Sequence, residues 1–364
     1  MRSVMNGAVM RNEERMQANI ENLSSGDDLL RYVSKYMSVF SESDLMRATK
    51  IIEDKEQREA LVAQSLKNQS LIVLHEEDGK ESGYYTTRDI RKEEEKILRL
   101  SGYVAQESNV LLKGSYKQMT TATAMLEEVK NSGQLTQEQY EALSHVLFTR
   151  SGVRILRGRA GTGKSQVLGK VASIAEAAGL NVIGLAPTHK ARTELAARGY
   201  ANNDTVKGML FKHYNGRFEL PKGSLIVLDE AGMVGNDDYQ ELLRVVAANK
   251  CNIILAGDER QLSSVQRGGM FEVFDREYGS ALIANIQRQK AQWGKDVAMA
   301  MSRGDIRSGV KILHEQGKII EHEDKQSSMQ GLIEDWSKSD KRVEDRLIIA
   351  ISNKDVAALN HGVR

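Results

Sequence analysis

From about residue 135 onward, short apolar runs alternate with segments whose apolar positions recur at helical spacing. The pattern predicts strands at 153–157, 181–186, 225–228 and 252–256, and helices at 164–178, 190–198 and 237–248. Gly179 and Gly199 stand just after two of these helices, where a glycine can take the left-handed conformation that ends a helix. Strands without a polar face, separated by amphipathic helices, are typical of a parallel sheet covered on both faces. The predicted fold class is therefore α/β, with a doubly wound parallel sheet.

The first 134 residues have a different pattern. Residues 17–68 carry apolar positions at helical spacing, and 70–75 and 83–87 are predicted as strands joined by the turn signal Asp78-Gly79. A charged helix is predicted from residue 88 to about residue 105. Helices followed by a hairpin resemble a winged-helix module, and a small helical lobe that only packs on the rest of the chain accounts for the pattern equally well. We assign residues 1–88 to this helical, winged-helix-like region and residues 89–134 to a helical linker.

Composition narrows the class of protein further. The 364 residues are 40% hydrophobic and 28% charged, which suits a protein with a core. No apolar stretch approaches the roughly 20 residues that a membrane-spanning helix needs, and the N-terminal segment has no secretory pattern, so we expect a cytoplasmic protein without a membrane span. The single cysteine, Cys251, excludes an internal disulfide and a multi-cysteine zinc site. Because the formal net charge is only +1, any nucleic acid would be bound through a local groove rather than through bulk charge.

A phosphate-binding loop is predicted between the first strand and the first helix of the sheet. The segment Gly158-Arg159-Ala160-Gly161-Thr162-Gly163-Lys164-Ser165 matches G-x-x-x-x-G-K-[ST] at every fixed position. The glycines let backbone N–H groups surround a polyphosphate at the helix N-terminus. Lys164 is expected to reach the β and γ phosphates, and the Ser165 hydroxyl to bind Mg²⁺. A glycine-rich loop without function is the alternative, and the matching strand and helix context disfavours it. The predicted cofactors are ATP and Mg²⁺.

An acidic pair completes the predicted site. The strand at 225–228 ends in Asp229 and Glu230, and carboxylates at the C-terminal edge of a parallel sheet face the same crevice as the phosphate loop. We expect Asp229 to hold Mg²⁺, and Glu230 to orient and deprotonate the attacking water. An acidic helix cap is the alternative, and the buried strand before the pair favours the catalytic interpretation.

Further motifs resemble those of superfamily 1 helicases. Residues 257–262 read G-D-x-x-Q-L after a strand, like motif III of that family, in which the glutamine (here Gln261) senses the γ phosphate. Residues 229–233 resemble the family's extended Walker B motif, and residues 185–192 resemble its motif Ia. The resemblance implies contacts to single-stranded DNA by Thr188, His189, Lys190 and Thr205.

Two more motifs flank this region. Residues 135–139 resemble the family's Q motif, which implies that Gln139 reads the adenine base and that Leu135 packs near its ring. Residues 285–289 resemble motif IV, which opens the second motor domain. They imply that Arg288 is an arginine finger for the γ phosphate.

Taken together, the motifs resemble the helicase part of conjugative relaxase–helicases of the TraA/TraI type and, more distantly, the RecD branch. The resemblance implies a RecA-like first lobe over residues 135–283 and an incomplete second lobe over 284–364, in which 348–352 and 354–360 match a strand and a helix. It also implies 5′ to 3′ movement along single-stranded DNA, with the conjugative transfer machinery as a partner. Motifs V and VI have no match before residue 364, so we expect a truncated form. The relaxase histidine cluster has no match either, so no nicking activity is predicted.

A strand-separating hairpin is predicted within the first lobe. Residues 211–218 place Asn215-Gly216 between aromatic and basic residues, which is typical of a tight hairpin. In this helicase branch a hairpin at this point can separate the strands of a duplex, so we expect a reduced pin with Tyr214 near its tip. A plain surface hairpin is the alternative.

Three functions fit parts of these observations. The leading one is an ATP-dependent DNA helicase. The second is a catalytically impaired remnant that binds nucleotide and single-stranded DNA, because half of the second lobe is missing. A transporter ATPase is disfavoured, since Leu100-Ser101-Gly102 lies before the phosphate loop rather than between the two Walker motifs.

Overall fold

The computed structural model describes residues 23–50, 52–76, 78–107, 116–159, 161–258, 268–285 and 291–363. The chain divides into two compact units, one ending at residue 288 and the other beginning at residue 289. None of the helices among these residues is both long enough and apolar enough to cross a lipid bilayer.

The first unit begins with a small module of helices and antiparallel strands. Its elements are α1 (Gly26–Ser34), β1 (Phe40–Ser41), α2 (Glu42–Ala48), α3 (Lys55–Leu66), β2 (Leu71–His75) and β3 (Glu81–Thr87). The strands form a sheet in the order β1–β3–β2, and the module has a core of its own around Leu29, Phe40 and Leu45. The predicted helices and hairpin are confirmed over the described residues, whereas the winged-helix assignment stays a prediction.

A six-stranded parallel sheet forms the larger part of the first unit. Its strands are β4 (Val153–Gly158), β5 (Val182–Ala186), β6 (Asn203–Thr205), β7 (Leu225–Leu228), β8 (Asn252–Gly257) and β9 (Ser280–Ile283). Their order is β6–β5–β7–β8–β4–β9, and every neighbouring pair is parallel. Four of these strands were predicted, each accurate to one residue at each end, because their apolar runs are bounded by polar or glycine residues. The short strands β6 and β9 were not predicted.

Helices cover both faces of this sheet. They are α4 (Arg88–Glu107), α5 (Tyr116–Asn131), α6 (Gln137–Phe148), α7 (Lys164–Ala177), α8 (His189–Ala197), α9 (Val206–Tyr214), α10 (Asn236–Ala248) and α11 (Met270–Tyr278). Successive strand residues enter different cores. Leu225 and Val227 of β7 pack on the face with α5 to α8, and Ile226 and Leu228 pack on the face with α4, α9, α10 and α11. The prediction of a RecA-like, doubly wound α/β fold is confirmed.

The predicted hairpin over residues 211–218 is wrong. Its first half is the end of α9, a helix that begins after Thr205, whose side chain accepts a hydrogen bond from the N–H of Gly208. Asn215 caps the C-terminus of α9, and Gly216 follows with φ 65°. The Asn-Gly pair therefore ends a helix rather than joining two strands, and Tyr214 is the last helical residue instead of the tip of a pin.

The second unit consists of helices over its described residues. They are α12 (Gln292–Ser302), α13 (Ile306–Glu315), α14 (Lys325–Lys338) and α15 (Asn353–Val363). The predicted helix at 354–360 is confirmed as part of α15. The predicted strand at 348–352 is not formed: no strand pairs with this segment within 291–363, and Ile349 and Ile351 are exposed.

Candidate nucleotide-binding site

The phosphate loop joins β4 to α7 at the C-terminal edge of the sheet. Gly161 and Gly163 have φ 81° and 85°, values that side chains disfavour, so glycine is needed at both positions. Between them, the N–H and the hydroxyl of Thr162 both donate to the carbonyl of Arg159, at 3.2 and 2.8 Å. Gly163 caps α7 without a side-chain hydrogen bond, which leaves the positive end of the helix open to an anion.

Three of the predicted catalytic side chains meet next to this loop. The Lys164 ammonium lies 3.2 Å from Asp229 Oδ1 and 3.9 Å from Glu230 Oε1. Lys164 and Asp229 are 8% and 3% exposed. Asp229 is fixed at the end of β7 because its N–H donates to the carbonyl of Leu185 on the adjacent strand at 2.9 Å. The structure therefore brings the loop lysine and the acidic pair, 65 residues apart in the chain, into one cluster.

The two carboxylates have opposite electrostatic environments. Burial alone would raise the pKa of Asp229, but the Lys164 charge, the Glu230 N–H and Arg198 together hold that pKa below its ordinary value. Burial raises the pKa of Glu230; Lys164 opposes the shift, and the charges of Asp229 and Asp258 add to it. A carboxylate that stays ionised suits a metal ligand, and one with a raised pKa suits a general base. Glu230 also has φ 52°, a left-handed conformation typical of strained functional positions.

The residues present fit a nucleoside triphosphate with Mg²⁺. The buried Lys164 ammonium is ion-paired with Asp229 at 3.2 Å, but within the described part of the chain it donates no hydrogen bond, so its N–H groups are available for a phosphate. A Cβ at Gly158 would lie 3.0 Å from Lys164 Cβ, so the close approach of the loop to this lysine depends on glycine. The oxygen ligands that Mg²⁺ prefers are offered by Asp229 and by the half-buried Ser165.

The Q-motif residues brace this loop from the other side. Gln139 is 1% exposed; its amide oxygen accepts from the N–H of Thr136, and its amide nitrogen donates to the carbonyl of Thr162 at 2.8 Å. Glu138 accepts from the N–H groups of residues 284 and 285, which follow β9. The first turn of α6 thus connects the phosphate loop with the chain that leads to motif IV. Adenine recognition by Gln139 stays a prediction, as does the role of Leu135, which packs against the core.

The predicted DNA contacts lie at the same edge of the sheet. Thr188, His189 and Lys190 follow β5 and are exposed, with Thr188 capping the N-terminus of α8. Thr205 is the last residue of the neighbouring strand β6, where it pairs with Ala186, but it is buried and its hydroxyl accepts the hydrogen bond that caps α9. All four contacts stay predictions.

Tyr214 lies away from these residues on α9. Its side chain is 57% exposed, and its hydroxyl donates to the carboxylate of Glu241 on α10. Three more predicted site residues, Ala160, Gln261 and Arg288, lie outside the described residues, so their roles stay predictions.

Sequence reasoning missed Arg198, which contacts the acidic pair. Its guanidinium Nη1 lies 2.6 Å from Asp229 Oδ2, and its Nη2 lies 3.1 Å from Glu194 Oε2. Arg198 follows the last residue of α8, where a basic side chain is an ordinary helix terminator. No local signal distinguished it, because its partner lies 31 residues away in sequence.

Comparison with known proteins supports the assignment of this region to a nucleotide-binding domain. The family model described as an AAA domain matches residues 134–324, more than half of the chain. A probable conjugal transfer protein TraA from Sinorhizobium fredii is 26% identical over 97% of this chain and 32% of its own length. The chain thus spans about a third of the length of that relative.

Two further relatives match less than half of the chain. The multifunctional conjugation protein TraI of Escherichia coli is 27% identical over 46% of this chain and 10% of its own length. The ATP-dependent RecD2 DNA helicase of Deinococcus radiodurans is 30% identical over 43% of this chain and 22% of its own length. With a family model over more than half of its length and relatives of these three kinds, the chain belongs to the AAA-domain family and, within it, to the TraA/TraI type of relaxase–helicase proteins.

Proposed function

We propose that this chain hydrolyses ATP with Mg²⁺ and uses the cycle to move 5′ to 3′ along single-stranded DNA, as the motor of a conjugative DNA-transfer protein. The observation that carries the proposal is the cluster of Lys164, Asp229 and Glu230 beside the phosphate loop. The relatives named as conjugation proteins and as a DNA helicase support the choice of DNA as the substrate.

Each side chain of the cluster has a distinct task in this proposal. Lys164 binds the phosphates, and Ser165 and Asp229 would hold Mg²⁺, which when bound neutralises charge on the phosphate oxygens. Glu230 orients the attacking water and takes its proton, because burial makes this carboxylate more basic than an ordinary one. The low exposure of Lys164 and Asp229 strengthens each of these charge interactions.

Residues Thr188 and Lys190 are proposed to bind the DNA backbone. They are exposed at the edge of the sheet where β5 ends, next to the strand that carries Asp229. Contacts to phosphate and sugar without base readout suit a motor that must move over any sequence.

ATP turnover measured with and without oligo(dT) tests the proposal. We expect turnover by the wild-type chain to rise with oligo(dT), and turnover by Lys164→Ala to be lost under both conditions. Unwinding of a duplex with a 5′ tail, compared with one with a 3′ tail, tests the direction of movement. Turnover by Lys164→Ala equal to that of the wild type would reject the assignment of the site.

A second candidate is a chain that binds nucleotide and single-stranded DNA without turnover. The observation that favours it is the second unit, whose described residues 291–363 form helices and no strand, so the expected second sheet is not assembled there. Tight ATP binding without turnover, on a preparation that also binds oligo(dT), would support this candidate over the motor.

A further inference from the structure

The Asp229 carboxylate has two cationic partners, Lys164 at the end of the phosphate loop and Arg198. Lys164 contacts Oδ1 at 3.2 Å, and Arg198 contacts Oδ2 at 2.6 Å with the shorter and better-aligned interaction. The Glu230 N–H also donates to Oδ1, at 2.9 Å. Both oxygens of the carboxylate that is proposed to hold Mg²⁺ are therefore already used within the protein.

The position of Arg198 is fixed by the chain on both sides of it. Its N–H donates to the carbonyl of Leu195 at 3.0 Å, which ends α8. Two residues later, the buried Tyr200 packs against Gly184 of β5, and its hydroxyl donates to the carbonyl of Leu168 on α7 at 2.8 Å. The backbone therefore has little freedom, while the Arg198 side chain is 19% exposed and can change partners.

Arg198 also has a second anion to which it can move. Glu194, one helical turn earlier on α8, contacts the other guanidinium nitrogen at 3.1 Å, and its side chain is 52% exposed. A guanidinium can hold one carboxylate with each edge, so releasing Asp229 would leave Arg198 paired rather than uncompensated.

We propose that Arg198 competes with Mg²⁺ for Asp229, and that it must release this carboxylate before Mg²⁺ and nucleotide bind. The physical reason is competition: a buried carboxylate needs a cation, and two cations on one carboxylate repel each other. Arg198 is thus a positioning residue that acts through Asp229 and sets the Mg²⁺ concentration at which nucleotide binds. The inference rests on the proposed function, because it requires the loop to bind a nucleotide.

The test measures the affinity of a fluorescent, non-hydrolysable ATP analogue as a function of free Mg²⁺. In Arg198→Gln, we expect the Mg²⁺ concentration that gives half of the affinity gain to fall about tenfold, because the competing charge is gone. Arg198→Lys, which keeps a cation at this place, should remain close to the wild type. Arg91→Gln is the matched control, since it removes an arginine from an exposed pair with Glu95 on α4 and should change nothing.

A change of opposite sign separates competition from a structural role. Glu194→Gln removes the second partner of Arg198 and leaves the guanidinium with Asp229 alone, so the Mg²⁺ midpoint should rise several-fold. Loss of folding in any variant would appear in its circular dichroism spectrum, and a structural role would not move two variants in opposite directions.

Three results would overturn the inference. They are an Arg198→Gln midpoint equal to the wild type, a midpoint shifted to higher Mg²⁺, or a Glu194→Gln midpoint shifted downward. If the wild-type chain binds the analogue at no Mg²⁺ concentration, the proposed function fails instead, and the two failures are therefore distinguishable.

Discussion

The contact between Gly163 and Gln139 makes a quantitative prediction for Gly163→Ala. A Cβ at residue 163 would lie 2.2 Å from the amide nitrogen of Gln139, closer than any real contact, and residue 163 has φ 85°. The left-handed backbone costs an alanine about 1–2 kcal/mol. The Gln139 amide must also move away and lose its 2.8 Å bond to the Thr162 carbonyl, and leaving such buried groups unpaired costs about 1–3 kcal/mol. The free energy of unfolding should therefore fall by about 2–5 kcal/mol.

Urea unfolding followed by far-ultraviolet circular dichroism measures this loss. Tryptophan fluorescence is unsuitable as the readout, because Trp293 and Trp336 both lie in the second unit. The double variant Gly163→Ala with Gln139→Ala gives the new methyl group space, so its loss should be smaller than the sum of the two single losses by about 1–2 kcal/mol. An alanine at 163 that costs less than about 0.5 kcal/mol, or losses that are strictly additive, would refute the steric reasoning.

Three further predictions concern Glu230 of the acidic pair and the buried Arg154 of β4. Glu230→Gln should lower turnover about 10²–10⁴-fold while nucleotide affinity persists. It should also raise the melting temperature at pH 7, because the pKa of Glu230 is raised in the folded protein, so that its ionised form lowers stability above that pKa and has no effect below the ordinary glutamate pKa. A variant less stable than the wild type would contradict the prediction. Wild-type turnover should fall as the pH drops through the raised pKa of Glu230, and a pH profile without a fall on the acid side would exclude this residue as the base. Arg154→Met should lower the free energy of unfolding by about 1–3 kcal/mol, because Arg154 is 1% exposed and donates hydrogen bonds to the Thr149 carbonyl and to Asn252. A variant as stable as the wild type would show that the cost of burying the charge, which lowers the Arg154 pKa to about 10, offsets the stability that these hydrogen bonds provide.

The parts of the fold that the sequence predicted well depend on local signals. The β7 strand is a run of four apolar residues, Leu225–Leu228, that ends in two acids, and no helix of that length would be stable on its own. The phosphate loop and the position of Asp229 follow from the same logic, since parallel strands end at one edge of the sheet.

The features that the sequence did not predict depend on which helix or strand packs beside a given residue. Asn215-Gly216 is compatible with a hairpin and with a helix end, and the buried face of α9 decides for the helix. The pairing of Arg198 with Asp229 requires knowing that the Arg198 side chain, at the end of α8, reaches the carboxylate that follows β7. Residues 348–352, of which the first four are apolar, carry a strand pattern, but no partner strand is present among residues 291–363, and a lone strand does not form.

Equilibrium binding of a non-hydrolysable ATP analogue, measured by calorimetry in the presence of Mg²⁺, tests most directly whether Lys164 and the phosphate loop hold a triphosphate. We predict that the wild-type chain binds the ATP analogue far more tightly than AMP, and that Lys164→Ala loses this preference while keeping its fold by circular dichroism. Equal affinity for the ATP analogue and AMP, or full binding by Lys164→Ala, would contradict the assignment of a nucleoside triphosphate site to this edge of the sheet.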